Sequence, residues 1–364
     1  MTLSVQQVSV ELGDRSYEIH IGDQIPGRTP DLMPSGSSRF LIVTDANVQT
    51  PHAETVLTAL TDQGFTGSIA CVPAGEKSKS TATLTTLYDE LVGQSANRKT
   101  TVVAVGGGVV GDLAGFLAAT YARGIPFIQV PTTLLAMVDS SVGGKTGINH
   151  PKGKNLIGAF HQPAGVVVDT ATLDTLPDRE YRSGLAEVIK YGVIMDEAFF
   201  DWLETNIHGM LNRDADVLAH IVARSCELKA AVVRDDEFET TGLRAILNYG
   251  HTFAHAFEAL SGYDELLHGE AVSIGMVCAS RLAEKTGRVS RDATMRQVEL
   301  LKAVGLPVDV PSEQLERREE IVRCMQLDKK TVDGQLRFIL PDRIGHVELV
   351  DGINADAALE CLTD

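Results

Sequence analysis

The stretch that most constrains this chain is Thr101-Val102-Val103-Ala104-Val105, followed at once by Gly106-Gly107-Gly108-Val109-Val110-Gly111-Asp112. An apolar run this short, rich in β-branched residues and closed by glycines, is a buried parallel strand rather than a helix, because a strand covered on both faces needs no polar alternation. Leu113 to Tyr121 then reads as a helix. A glycine turn between strand and helix leaves bare backbone amides where the helix dipole favours negative charge, so the arrangement suits a pyrophosphate. The spacing satisfies G-x-G-x-x-G with Gly107 in the first variable position. Alone, that pattern fits a plain tight turn equally well. The continuation favours a ligand. Phe127 to Val130 is a second buried strand, stopped by Pro131, and Thr132-Thr133 offers two hydroxyls at the same sheet edge. Open α/β sheets bind ligands at the carboxyl ends of their strands, so both turns face one crevice. The segments Asp139 to Thr146 and Lys152 to Asn155 carry glycines and lysines without periodicity and read as a long loop. Compact domains keep loops of that length for a site.

A chain of 364 residues with 44% hydrophobic content suggests two domains. Its net charge of -17 disfavours a nucleic-acid role, since a phosphate backbone demands a basic face. Against that acidic background Lys145, Lys152 and Lys154 cluster, a pattern suited to a small anionic ligand drawn into a cleft. The five cysteines are scattered and never in C-x-x-C spacing, which argues against a disulfide framework and a zinc-thiolate site and for a reducing cytosol. No secretory pattern opens the chain, and no apolar run approaches the roughly 20 residues a membrane helix needs, so the expectation is a cytoplasmic protein without membrane attachment.

In order, Val8 to Leu12 and Tyr17 to Ile21 predict a hairpin around Gly13-Asp14, and Arg39 to Asp45 a strand ending in a carboxylate. In dinucleotide folds such an acid receives ribose hydroxyls, though here it precedes the glycine turn, and a helix-capping role is the rival. Pro51 to Gln63 reads as helix, Gly67 to Val72 as strand, Ala74 to Lys79 as a polar glycine loop, Thr81 to Val92 as helix, and Val166 to Asp169 as the last core strand. Alternating strands and helices predict a layered, Rossmann-like α/β domain over 1–176. After Pro177 apolar residues recur at i, i+3 and i+4 in 179–191, 197–206, 215–233, 243–260, 267–286 and 291–303, predicting an all-α domain over 177–364. Within it, Leu336 to Leu340 and Val347 to Val350 suggest a short hairpin before a final helix.

Chemistry concentrates in that second half. His251 and His255 stand at i, i+4 on one helix face, and two further residues are candidates to join them on a metal: His268, in the His268-Gly269-Glu270 step, and Glu187. Two histidines and a carboxylate with an open position is the composition of a catalytic zinc site. The ordinary alternative, a histidine pair filling a surface or core, is weakened by apolar and small neighbours that make two unpartnered rings costly. Glu187 and Lys190 equally fit a surface pair, except that Ala186, Val188, Ile189 and Tyr191 suggest burial, where a charge requires a partner. Arg123, Lys229, Arg244, Lys329 and Lys330 are, by sequence alone, indistinguishable from solvent-exposed charges.

Taken together these runs resemble the 3-dehydroquinate synthase family of sugar phosphate cyclases: Gly106 to Asp112, Phe127 to Leu135, Val138 to Thr146, Gly153 to Phe160, Gly184 to Gly192, Gly250 to His255 and His268-Gly269-Glu270 occur in the family's order along almost the whole chain. The resemblance implies an NAD-binding N-terminal domain, a helical metal-bearing C-terminal domain and a homodimer with its active site between the domains. By motif position it implies Glu187, His251 and His268 as ligands of zinc or cobalt. The NAD positions it implies are Asp45, Gly75, Glu76, Lys79, Gly107, Gly108, Gly111 and Asp112, with Thr132, Thr133, Lys145, Lys154, Thr172 and Thr175. Substrate and catalytic positions are Arg123, Asp139, Lys145, Asn155, Lys190, Lys229, Arg244, Asn248, His255 and Lys330. One departure is visible: the segment 235–241 is a residue longer than the family's usual form, leaving the register of Glu239 open.

The implied reaction converts a phosphorylated keto sugar acid, 3-deoxy-D-arabino-heptulosonate 7-phosphate, to 3-dehydroquinate and phosphate. It runs through transient NAD oxidation, phosphate elimination, re-reduction, ring opening and intramolecular aldol closure, a step of the shikimate pathway. Carboxylate and phosphate on one substrate account for the surplus of cations. Amino-dehydroquinate synthase keeps the same anions and is a close rival; an iron- or glycerol-type polyol dehydrogenase is a more distant one, distinguished by net release of NADH.

Overall fold

The computed structural model describes residues 5–261, 265–327 and 336–363. The chain divides into two compact units, Met1–Leu176 with Leu218–Phe238, and Pro177–Val217 with Glu239–Asp364. The first holds β1 (Gln6–Val10), β2 (Tyr17–Gly22), β3 (Arg39–Asp45), α1 (Glu54–Asp62), β4 (Thr66–Val72), α2 (Thr81–Gly93), β5 (Thr101–Gly106), α3 (Gly108–Thr120), β6 (Phe127–Pro131), β7 (Lys145–His150), β8 (Gly153–Phe160) and β9 (Gly165–Asp169). Seven of these strands form one sheet in the order β1-β2-β9-β6-β5-β3-β4, parallel except for the β1–β2 hairpin. Alternation places Leu41, Val43, Val102 and Ala104 against α2 and α3, while Phe40, Ile42, Val103 and Val105 pack with Val56 and Leu60 of α1. The central strands β3 and β5 are thus covered on both faces, which is why the sequence there reads as continuous apolar runs.

Two expectations for this unit change. The helix after the glycine turn starts at Gly108 instead of Leu113, with Gly111 N donating to Gly107 O at 3.1 Å. A Cβ on Gly111 would lie 2.9 Å from Gln129 Oε1 of β6, so the glycines let a helix approach the sheet and do not delay it. The supposed loop between Asp139 and Asn155 contains a hairpin, β7 with β8, running from Lys145 opposite Phe160 to His150 opposite Gly153. Gly147 and Gly158 meet across it, where a Cβ on Gly147 would lie 2.7 Å from Ile157 O, and such glycines erase the alternation that identifies strands.

The second unit is built on α4 (Asp178–Met195), α5 (Glu197–Thr205) and α6 (Ile207–Leu211). Then comes α7 (Ala215–Asp235), followed by α8 (His251–Leu260), α9 (His268–Lys285), α10 (Arg291–Ala303), α11 (Ser312–Leu315), α12 (Arg318–Leu327), a hairpin of β10 (Leu336–Arg343) with β11 (His346–Ile353), and α13 (Ala355–Glu360). Residues 218–238 of α7 and beyond group with the first unit, unlike the simple break at 177. Cys226 Sγ of α7 donates to Met137 O at 3.3 Å and Lys229 Nζ to Asp139 O at 2.6 Å, contacts that helical periodicity cannot assign to a partner. The continuous helix read over 243–260 is interrupted: a 3-10 turn spans Leu243–Asn248, and Gly250, at φ +79°, starts α8 afresh.

Candidate functional site

In the second unit, Glu187, His251 and His268 come together from α4, α8 and α9, one ligand atom of each within 4.8 Å of the others. Glu187 Oε1 lies 3.8 Å from Nε2 of His251 and 3.8 Å from Nε2 of His268. That is too far for hydrogen bonds, and close to the separation of about 3.4 Å for two ligand atoms about 2.1 Å from one tetrahedral ion.

Local structure explains the convergence. Glu187 sits in a helix whose residues 183–194 are all buried, and its own exposure is 0%. His251 opens α8 directly after Gly250, where a Cβ would lie 2.7 Å from Met276 N; Gly275 returns the contact, its Cβ position 2.2 Å from Gly250 O. Backbone thus touches backbone between α8 and α9. His268 opens α9, whose start is tied down twice. Glu270 accepts from Leu267 N at 2.8 Å while Arg179 Nε donates to it at 2.7 Å, and Gly269 N donates to Ser183 Oγ at 3.0 Å. Both imidazoles therefore occupy helix starts, that of α8 placed by the backbone contact at Gly250 and that of α9 by its caps.

Neither carboxylate oxygen of Glu187 has a hydrogen-bond partner among the described residues, although Lys190 Nζ makes a close ion contact to Oε2. Lys190 offsets the charge at Oε2, whereas Oε1, facing both imidazoles, is removed from water without a hydrogen bond, and a coordinated cation would supply that partner. Burial, then the positive charge of Lys190, holds the His251 pKa well below its ordinary value, which keeps the ring neutral with a lone pair to offer. Burial also disfavours protonation of His268, but its hydrogen bond to Glu258 and the charges of Glu258 and Glu187 outweigh this and raise its pKa. The residues present fit a divalent cation with nitrogen and oxygen ligands. A second grouping, Asp342, His346 and Glu348 on the β10–β11 hairpin, is neutralised by Arg343 at 3.2 Å from Asp342 and by Arg288 on Glu348.

In the first unit, Gly106 pairs with Pro131 across β5 and β6, and Thr132 N donates to Gly106 O at 3.0 Å, which sets the glycine turn beside the two threonines. On the other side β5 pairs with β3, placing Asp45 next to the turn. From β3 the chain winds outward to β4 and from β5 it winds the opposite way to β6, so the strand ends flank a topological switch point, the ligand crevice of open α/β sheets. A Cβ on Gly107 would approach Thr133 Cγ2 to 3.1 Å and one on Gly108 would approach Ser140 Oγ to 3.1 Å. The buried hydroxyls of Thr132 and Ser140 have no hydrogen-bond partner among the described residues. Small residues at the turn and orphaned hydroxyls beside it fit a bound dinucleotide.

Around this crevice, Gly75 turns at φ +98°, Glu76 accepts from Asn149 Nδ2 at 2.7 Å, and buried Lys79 donates to Asp112 Oδ2 at 2.7 Å and also to Asn155. Burial raises the Asp112 pKa, against the opposing pull of Lys79. Asp45 accepts from Asn47 N at 2.8 Å and so also shapes its own turn. Thr172 and Thr175 spend their hydroxyls on the turn after β9, Thr172 on Asp169 O and Thr175 on Thr172 O. Lys154 lies half-buried on β8 and Lys145 opens β7 exposed. Arg123 is exposed in a short turn at φ +67°. Lys229 Nζ donates to Asp139 Oδ1 at 2.7 Å, which joins two residues 90 positions apart.

In the second unit, buried Arg244 has Nε 3.6 Å from Glu239 Oε1, Asn248 ends the turn before Gly250, and His255 is exposed with its ring 5.5 Å from that of His251. Lys330 lies outside the described residues. Sequence reasoning missed Glu258, Asn149 and Ser140. For Glu258 a signal existed: His251, His255 and Glu258 stand at i, i+4 and i+7, one helix face.

The N-terminal region of 3-dehydroquinate synthase matches residues 69–183 and its C-terminal region matches residues 184–331. The 3-dehydroquinate synthase of Desulforamulus reducens is 49% identical over 359 residues, 98% of this chain and 99% of that one. Among solved structures, 2-deoxy-scyllo-inosose synthase, complexed with carbaglucose-6-phosphate, NAD+ and Co2+, superposes with a TM-score of 0.88 at 25% identity over 99% of both chains. The 2-epi-5-epi-valiolone synthase of Streptomyces hygroscopicus subsp. jinggangensis, with NAD+ and Zn2+ bound, gives 0.87 at 28% identity over 97% of both chains. Matched in sequence across both units and sharing nearly half its residues with a relative of the same length, the chain belongs to the 3-dehydroquinate synthase family.

Proposed function

We propose that this chain converts 3-deoxy-D-arabino-heptulosonate 7-phosphate to 3-dehydroquinate and phosphate, a carbon–oxygen lyase reaction of aromatic amino acid biosynthesis, using NAD and a zinc or cobalt ion. The observation that carries it is the meeting of Glu187, His251 and His268 around a buried carboxylate lacking hydrogen bonds, in a chain of this family. Those three residues would hold the cation. NAD would lie against Asp45, Gly107, Gly108, Gly111 and Thr132 to Thr133, with Gly75, Glu76, Lys79 and Asp112 on one side and Lys145, Lys154, Thr172 and Thr175 completing the set. When bound, the cation polarises hydroxyl oxygens and NAD exchanges hydride reversibly.

The chain's own residues bind and orient. Unpaired amides at the start of α3 receive pyrophosphate, and Lys79, fixed between Asp112 and Asn155, keeps a positive charge beside them. Arg123 and Lys145 bind the substrate phosphate; Lys229, Arg244 and Lys330 share its carboxylate and ring hydroxyls. Asp139 holds the Lys229 ammonium in place. Lys190 balances the charge of Glu187, Asn248 offers an amide to substrate hydroxyls, and His255, outside the ligand set, is positioned for proton transfer. The same reading takes the protein to be a cytoplasmic homodimer.

The test is one assay with the heptulosonate phosphate, NAD and zinc, following phosphate and the cyclic product together. Phosphate release matched by 3-dehydroquinate, with no net NADH, is expected. NADH accumulating in step with substrate consumption would make the protein a dehydrogenase and overturn the proposal.

A further inference from the structure

Both histidines of the cluster show the same division of labour between their ring nitrogens. His251 turns Nδ1 to Tyr249 O at 3.1 Å and Nε2 to Glu187. His268 turns Nε2 to Glu187 and Nδ1 to Oε1 of Glu258 at 3.3 Å. Oxygens of a carbonyl and a carboxylate accept, so each partner holds the ring proton on Nδ1 and leaves the Nε2 lone pair aimed at the same point. The partners are not equivalent. Tyr249 O is fixed by the backbone beside Gly250, whereas Glu258 is a side chain, 7% exposed, carried by a different helix from the histidine it meets.

We propose that Glu258 is a positioning residue of the metal centre, its carboxylate holding the His268 imidazole in the tautomer and orientation that a divalent cation requires. This rests on the reading of Glu187, His251 and His268 as cation ligands. The placement follows from α8: His251 lies in its first turn and Glu258 two turns further on the same face, and the close approach at Gly250 and Gly275 brings that face to the start of α9. Charge adds to geometry. Among the described contacts, Glu187 and Glu258 set two negative charges against the positive charge of Lys190, so a dication enters a site of net negative character. Without Glu258 the His268 ring loses its acceptor and the site loses that excess.

The experiment titrates metal-free protein with Co2+, reading the visible absorption of the bound ion and its affinity by competition with a chelator. Parent, Glu187→Ala, Glu258→Gln and Glu258→Ala proteins are compared, with far-ultraviolet circular dichroism reporting the fold of each. Glu258→Gln is close to isosteric and decides the matter should the alanine variant fail to fold. The expected result is a Co2+ affinity about 10–100-fold weaker in Glu258→Gln, with a shifted absorption spectrum. An affinity within twofold of the parent together with an unchanged spectrum would overturn the assignment, while binding by the parent and its loss in Glu187→Ala would leave the metal centre standing. A parent that binds no Co2+, or a Glu187→Ala protein that binds it undiminished, would overturn the metal centre and this inference with it.

Discussion

Lys145 and the five cysteines give the most direct tests at the scale of single residues. Lys145 stands exposed at the start of β7, in a protein of net charge -17, so its attraction for a phosphate is local and little reinforced by the rest of the molecule. Replacing it with alanine should weaken binding of the phosphorylated substrate by at least about tenfold, the cost of one charge-assisted contact, and weaken NAD binding far less. Calorimetric titration of each ligand checks this, and equal losses would remove Lys145 from the phosphate site. Burial pushes the thiols of Cys226 and Cys278 up to about 12 and that of Cys361 to about 11. At pH 8 the folded protein therefore holds the first two as thiolate in a fraction on the order of 10⁻⁴, and a disulfide reagent should label exposed Cys71 and half-buried Cys324 well before the rest. Because these folded pKa values lie above the ordinary thiol value, their contribution to stability is complete below about pH 8.5 and is lost as pH rises towards the folded values. A titration labelling all five at one rate in native protein would contradict the burial. Which lysines matter was not legible in the sequence, because a lysine facing solvent and one facing a ligand have the same neighbours in the chain.

Secondary elements are where glycine decides what the neighbouring residues can do. Gly269 follows His268 in the first turn of α9, and a Cβ there would lie 1.8 Å from the backbone oxygen of Ser183 in α4. Because the obstacle is main chain, it cannot rotate away, and the helix start must move. Gly269→Ala should destabilise the protein by about 1–3 kcal/mol or more and weaken zinc binding, since His268 moves with that turn. Thermal unfolding and zinc competition measure the two effects, and a variant unchanged in both would show that the contact is looser. Most elements were readable from periodicity, including 291–303 to the residue. Three of the exceptions share one cause. The early start of α3, the β7–β8 hairpin and the break before α8 all turn on glycines, whose missing side chains remove the pattern that identifies an element while permitting close approach or positive φ.

For the whole molecule, the proposed function makes activity conditional on a cation bound by three helices. Treatment with a strong chelator should abolish phosphate release, and added Zn2+ or Co2+ should restore it without net change in NAD, which a coupled phosphate assay and nicotinamide fluorescence can follow together. Activity untouched by chelation would argue against the centre. The homodimer is checked by sedimentation equilibrium, with twice the chain mass expected. The sequence by itself determined the class of each half, because strand and helix periods reflect burial within a short window, and it carried the family motifs in order. It also supplied the candidate ligands Glu187, His251 and His268. Only the tertiary structure decided that these three lie within 4.8 Å of one another, that Glu258 meets His268, and that residues 218–238 group with the sheet and not with the helices. Such contacts join residues 10 or more positions apart on different elements, and their free energy comes from desolvation and packing between elements, quantities that no local pattern of residues contains.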